Sequence, residues 1–203
     1  PVPDPDSATD LLLGGEMDGL QLTNPGSIVR LTEADGIQNV LDDAGDETFT
    51  MMNTSVPPFD DLRARQALAW ATPRAQYAQL IGLDVLRQAT QRFIPESPYA
   101  DPAIMQPGDD PDRGAALAAE YCAEHGNDAN PITGGPVCTD GKINIDFQVA
   151  GPSVIGTRIA DLLVSGWSAA FDVTVTEVFQ DELIQNAALG SYNAMNWRQF
   201  GAI

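Results

Sequence analysis

The chain has 203 residues, 43% of them hydrophobic, and 29 acids against 10 bases give it a formal charge of −19. That apolar content is enough to bury a core, which excludes a disordered tail. The negative balance excludes nucleic acid and anionic membrane as partners, because both select clustered positive charge.

A helix is expected over residues 6–13, stopped by Gly14 and Gly15, and "EMDGLQL" (residues 16–22) then looks like a strand entering the fold. "NPGSIVRLTEADG" predicts a second helix, capped near Asn24 and ended by Gly36. Two short strands are expected at residues 37–41 and 48–53. In "VPPFDDLRARQALAWA" (residues 56–71) the two prolines hold the approach extended, and Asp60 or Asp61 can accept from the free N–H groups of a helix start. Leu62, Ala64, Ala67, Leu68 and Ala71 recur at helical spacing, so one face is buried and Arg63 lies off it. The helix is expected to break at Thr72 and Pro73 and to restart toward Gln79.

Residues 82–111 read as a long connection with prolines at positions 95, 98, 102, 107 and 111 and no sustained period; connections of this length are usually functional or packed over a surface. "DDPDRGAALAAEYCAEHG" is a helix with acids at its start and Gly126 at its end. After it come a strand "KINIDFQV", a helix over residues 153–165, a strand "FDVTVTEV", a helix over residues 181–188 and a strand "SYNAMNW". Strands alternating with helices at these lengths predict an α/β layer architecture.

Cys122 and Cys138 flank a loop rich in Gly, Pro, Asn and Asp. Two cysteines and one nearby histidine are too few for a tetrahedral structural zinc site unless carboxylates join. The pair reads either as a disulfide, which would contribute roughly 3 kcal/mol and imply an oxidising compartment, or as two reduced core thiols. His125, near a helix end, fits a dipole contact or no role better than catalysis. The acid clusters "DDAGDE" (residues 42–47) and "GDDPD" (residues 108–112) lack the alternating loop that ends in a bidentate Glu, so they read as solvated turns and not as calcium sites. No cofactor or metal is expected. The last strand places Tyr192, Met195, Trp197, Arg198 and Phe200 close together, which suits either a core strand or a pocket wall.

"MNTSVPPFDDLRARQALAWATPR" closely resembles a segment of the family 5 extracellular solute-binding proteins, the receptors of ABC importers for peptides, nickel and oligosaccharides. The elements that carry the resemblance are Asn53, the Pro-Pro-Phe-Asp-Asp turn at residues 57–61, Arg63, Arg65, Gln66 and Ala67. "DPDSATDLLLGGEMDGL", "DDPDRGAALAAEYCAEHG" and "GTRIADLLVSGWSAAFDVTVTEV" resemble further family segments in the same order.

The resemblance implies a periplasmic binding protein-like fold of class II, with a mixed sheet and flanking helices. Residues 1–203 would be one α/β domain, the second lobe of a two-lobe receptor whose first lobe is missing at both ends; the absence of an initiator Met and the abrupt "NWRQFGAI" fit such a piece. It further implies a monomeric, non-enzymatic importer component, extracellular or periplasmic, lipid-anchored in the parent, with a membrane permease and a small-molecule or peptide ligand as partners. A two-acid hydrolase acting on carbohydrate and a signalling receptor fragment are the rival readings. Met195, Asn196, Trp197, Arg198 and Asn53 are the candidate binding residues. Arg63 or Arg65 is expected to pair with Asp60, Asp61 or a neighbouring strand.

The chain departs from the family pattern at Thr72-Pro73-Arg74, where Asp-Arg is common. It departs again after Trp197, where peptide receptors often carry an acid that meets a peptide's amino terminus. Arg198, Gln199 and Phe200 stand there instead, which favours an anionic or neutral ligand such as a sugar or a carboxylate compound.

Overall fold

A computed structural model of the chain describes residues 4–22, 24–40, 46–82, 88–91, 93–95 and 97–200. Two short helices come first, α1 (Pro5–Leu13) and α2 (Pro25–Thr32). Each starts with Pro at its first position and a side-chain cap: Asp4 accepts from Ser7 N–H at 2.8 Å and Asn24 from Ser27 N–H at 3.0 Å, which satisfies donors that a helix start leaves open. They pack together through Ser27 and Asp6, and Arg30 reaches Asp10 at 2.6 Å.

Residues 16–22, expected as a strand, are irregular, and so are residues 37–40. No described strand lies beside either stretch, and a strand without a partner leaves its backbone groups to water. Leu41 lies outside the described residues.

Strand β1 (Asp46–Met52) leads to the two prolines, joined by a cis peptide bond, and then to α3 (Leu62–Ala71) and α4 (Arg74–Ile81). The expected break at Thr72 and Pro73 is present. α5 (Pro111–His125), β2 (Cys138–Thr139), β3 (Lys142–Ala150), α6 (Val154–Trp167), β4 (Phe171–Val178), α7 (Gln180–Leu189) and β5 (Ala194–Phe200) follow. The connection before α5 returns along α3: the Asp109 and Asp110 N–H groups donate to the Thr72 and Trp70 carbonyls.

The sheet is mixed, in the order β1-β5-β3, with β2 and β4 also paired to β3. β4 and β5 run parallel to β3, while β1 and β2 run antiparallel to their partners.

Alternation along β3 splits the sheet into two faces. Ile143, Ile145, Phe147 and Val149 enter the main core with Leu68 of α3, Tyr121 of α5 and Leu163 and Trp167 of α6. Each large side chain buried there contributes ~1.5–3 kcal/mol. Where α3 and α5 come closest α3 presents alanines, and Gly114 answers them: a Cβ there would lie 2.8 Å from that of Ala71. The alanine-rich face of α3 is therefore a close helix–helix contact.

The opposite face of β3 is polar. Asp146 accepts from Thr176 and, at 2.9 Å, from Gln148, which also donates to the Ser191 carbonyl and accepts from Asn186 of α7. Beyond this layer Val178, Leu183, Tyr192 and Met195 form a second, smaller core under α7.

Candidate functional site

Because β5, β3 and β4 run parallel, their carboxyl ends open at one edge of the sheet, where α6 and α7 begin. In open α/β sheets ligands bind beyond such strand ends, near helix starts whose N–H groups carry partial positive charge. Ser153 caps α6 by accepting from Gly156 N–H at 3.1 Å, whereas the α7 cap position is Phe179, with no side-chain cap bond.

β5 brings four candidate residues here in unlike states. Met195 is fully buried in the smaller core. Trp197 shares its sheet face, packs partly against the same core and keeps the rest of its surface open. Asn196 and Arg198 point to the other face, opposite Thr50 and Thr48 of β1. Asn196 is half-buried and Arg198 exposed. The core reading of this strand thus holds for Met195 and in part for Trp197, while Asn196 and Arg198 lie outside the smaller core.

Asn53 is elsewhere. It follows β1 at the amino-terminal end of β5 and lies five positions along the chain from Thr48, the partner of Arg198, about 16 Å of strand at roughly 3.3 Å per residue. Its side chain is buried, donating to the Gly190 and Tyr192 carbonyls at 3.0 and 3.2 Å and accepting from Ser55 N–H at 3.1 Å. Those bonds hold the α7-to-β5 connection.

Sequence reading missed the apolar residues at this edge. Val154 is 76% and Phe179 68% exposed, and Ile155 and Phe49 are open too, Phe49 standing directly across the ladder from Trp197. Hydrophobic residues at helix starts, where capping favours small polar ones, were the available signal.

The other sequence candidates are held in structural bonds. Arg63 pairs with Asp61 and with Glu124, both at 2.7 Å, and Arg65 donates to the Phe59 and Asp60 carbonyls. The Arg63 hydrogen bond holds the Asp61 carboxyl below its ordinary range. His125 stacks on Tyr121 and bonds Asp128 at 2.9 Å. Burial pushes the Tyr121 hydroxyl up to about 12. Asp110 caps α5 and Asp109 accepts from Ala75 N–H; in the other acid cluster, residues 42–45 lie outside the described residues. Cys122 and Cys138 form a disulfide. Among the described residues no cluster of His, Cys, Asp and Glu could hold a metal ion.

Solved structures share this fold. The chain is similar to NikA from Brucella suis in complex with Fe(III)-EDTA, at 21% identity and a TM-score of 0.75, covering 99% of this chain and 41% of that one. It is also similar to a dipeptide-binding protein from Pseudoalteromonas sp. SM9913 in complex with Met-Leu, at 18% identity and 0.73, covering 98% and 37%. A third is the periplasmic binding protein DppA from Helicobacter pylori in complex with the peptide STSA, at 14% and 0.75, covering 98% and 35%. The chain thus spans well under half the length of these structures. No curated protein matches it in sequence. The pattern of the bacterial extracellular solute-binding proteins, family 5 Middle, matches residues 1–203, and the chain belongs to that family.

Proposed function

We propose that this chain is the second lobe of an ABC-importer binding protein, and that the carboxyl edge of β5, β3 and β4 is its half of an interlobe ligand cleft. The observation that carries the reading is that Trp197, Asn196 and Arg198 share the strand β5, whose carboxyl end lies at the same sheet edge as the exposed Phe179, Val154 and Ile155 that follow β4 and β3. The edge offers stacking area, an amide and a cation, which suits an uncharged or anionic solute with an apolar portion. Residues 16–22 and 37–40, expected as parts of strands, are left to pair with the first lobe. The protein binds and releases without chemistry, as a monomer outside the cytoplasm, lipid-anchored in its parent and delivering to a membrane permease.

Native mass spectrometry of the intact parent protein, purified gently with nothing added, tests this. A defined noncovalent adduct of sugar or carboxylate mass, lost in Trp197→Ala, is the expected result. A peptide adduct would overturn the ligand class, and an adduct unaffected by changes at both Trp197 and Arg198 would overturn the site.

A further inference from the structure

We propose that Asn130 and Asn193 are a positioning pair that seats β5, and that the Cys122–Cys138 disulfide acts on β5 through it. The proposal rests on the reading above only in making β5 the binding strand.

Asn193 immediately precedes β5. It is fully buried, and so is Asn130, although Asp128, Ala129 and Pro131 around it are exposed. A buried amide is costly unless bonded, and here the two amides bond each other reciprocally: Asn130 Nδ2 donates to Asn193 Oδ1 at 3.0 Å, and Asn193 Nδ2 to Asn130 Oδ1 at 3.1 Å.

Backbone groups fix the orientation of both. Asn130 Oδ1 accepts from Ile132 N–H and Thr133 N–H, and its Nδ2 donates to the Asn144 carbonyl. Asn193 Oδ1 accepts from Asp146 N–H at 3.1 Å, and its Nδ2 donates to the Pro57 carbonyl at 3.2 Å. Turning either amide over would set donor against donor and acceptor against acceptor. The entry of β5 is thereby pinned to β3, to the proline corner before α3 and to the loop after α5, a geometry that an apolar plug of equal volume would not specify.

The disulfide enters through that loop. Residues 128–137 fold back on themselves, with Val137 N–H donating to the Asp128 carbonyl and Asn130 N–H to the Gly135 carbonyl. Asn130 lies near the turn and Cys138 at the base, tied to Cys122 of α5 with Cα atoms 5.8 Å apart. The bond anchors the loop to a helix of the main core, and the loop reaches the binding strand's entry through the Asn130–Asn193 hydrogen bonds.

Hydrogen exchange read by mass spectrometry on the intact protein, without ligand, tests this. The forms compared are wild type, Asn130→Asp, the Cys122→Ser/Cys138→Ser protein and their combination. Asn130→Asp keeps the oxygen that serves Ile132 and Thr133 and removes the donation to Asn144 and Asn193. β5 amides are expected to exchange about tenfold faster while β4 amides keep their protection, a local opening. Loss of the disulfide is expected to act in the same direction and to add nothing once Asn130 is changed. Should Asn130→Asp not fold, the uncharged Asn130→Ser replaces it.

Equal loosening of β4 and β5, no change in β5, or a full additive effect of the disulfide would each overturn the proposal. The cleft reading stands or falls separately, on the adduct and its response to Trp197.

Discussion

The indole N–H of Trp167 donates to the Thr72 hydroxyl at 2.9 Å across 95 residues of sequence, and the Thr72 hydroxyl in turn donates to the Leu68 carbonyl at 2.7 Å. Trp167 is fully buried, so this hydroxyl at the break between α3 and α4 supplies the indole's partner. Thr72→Val keeps the shape and removes the acceptor; it is expected to cost ~1–3 kcal/mol. Denaturant unfolding followed by tryptophan emission measures it, and an unchanged midpoint would remove this bond from the account of stability.

Gly114 is expected to tolerate no side chain. Besides Ala71 Cβ, a Cβ there would meet the Ala67 carbonyl oxygen at 2.9 Å and Ala71 N at 3.1 Å. Alanine normally favours a helix over glycine by up to about 1 kcal/mol, yet here overpacking of α5 on α3 should outweigh that gain, for a net loss of ~1–3 kcal/mol. Thermal unfolding of Gly114→Ala decides the sign.

Asp61 gives the acid limb of stability a local origin. Its carboxyl is held low, first by the hydrogen bond from the Arg63 side chain. A depressed carboxylate stabilises the folded state above its unfolded value of about 3.9 and loses that contribution as pH falls through the lower folded value. Asp61→Asn should therefore lower stability near neutrality and flatten the fall below about pH 4. Thermal midpoints across that window test it; parallel curves for the two proteins would contradict it.

The pattern of what could be read in advance follows from where the determining forces lie. Caps and breaks are local, so the helix starts at Asn24, Asp61, Asp110 and Ser153 and the interruption at Thr72 and Pro73 agree with sequence reading. Residues 16–22 look like a strand in sequence, but pairing is a property of neighbours, and the described strands offer them none. Asn53 looked like a binding residue because it sits in the family-like segment, whereas its bonds to Gly190 and Tyr192 lie 137 and 139 residues away. Trp197 suits core or cleft in sequence because an aromatic on a terminal strand serves either, and the structure leaves it partly buried against the smaller core. Phe179 escaped notice because an aromatic at a cap position has no local reason to be there.

Phe179 offers a test in which stability and binding move oppositely. Its backbone is extended, it makes no side-chain cap bond, and it stands before α7 at the proposed cleft. Phe179→Ser should supply the missing cap and raise stability by roughly 1 kcal/mol. Ligand affinity should fall about tenfold, as for loss of about 1.4 kcal/mol of apolar contact. Calorimetry of unfolding and titration with the ligand recovered from the parent protein separate the two; gain in both would place Phe179 outside the cleft.

The pairing of β1 with β5 joins residues 46–52 to residues 194–200, and no other described strand borders β1. This ladder cannot begin to form until almost the whole described chain has been synthesised. Closing so long a loop before any contact rewards it slows folding. The strand proposed to hold the ligand is thus also the last of the described strands to leave the ribosome, and a chain cut short before Ala194 would leave β1 without its described partner.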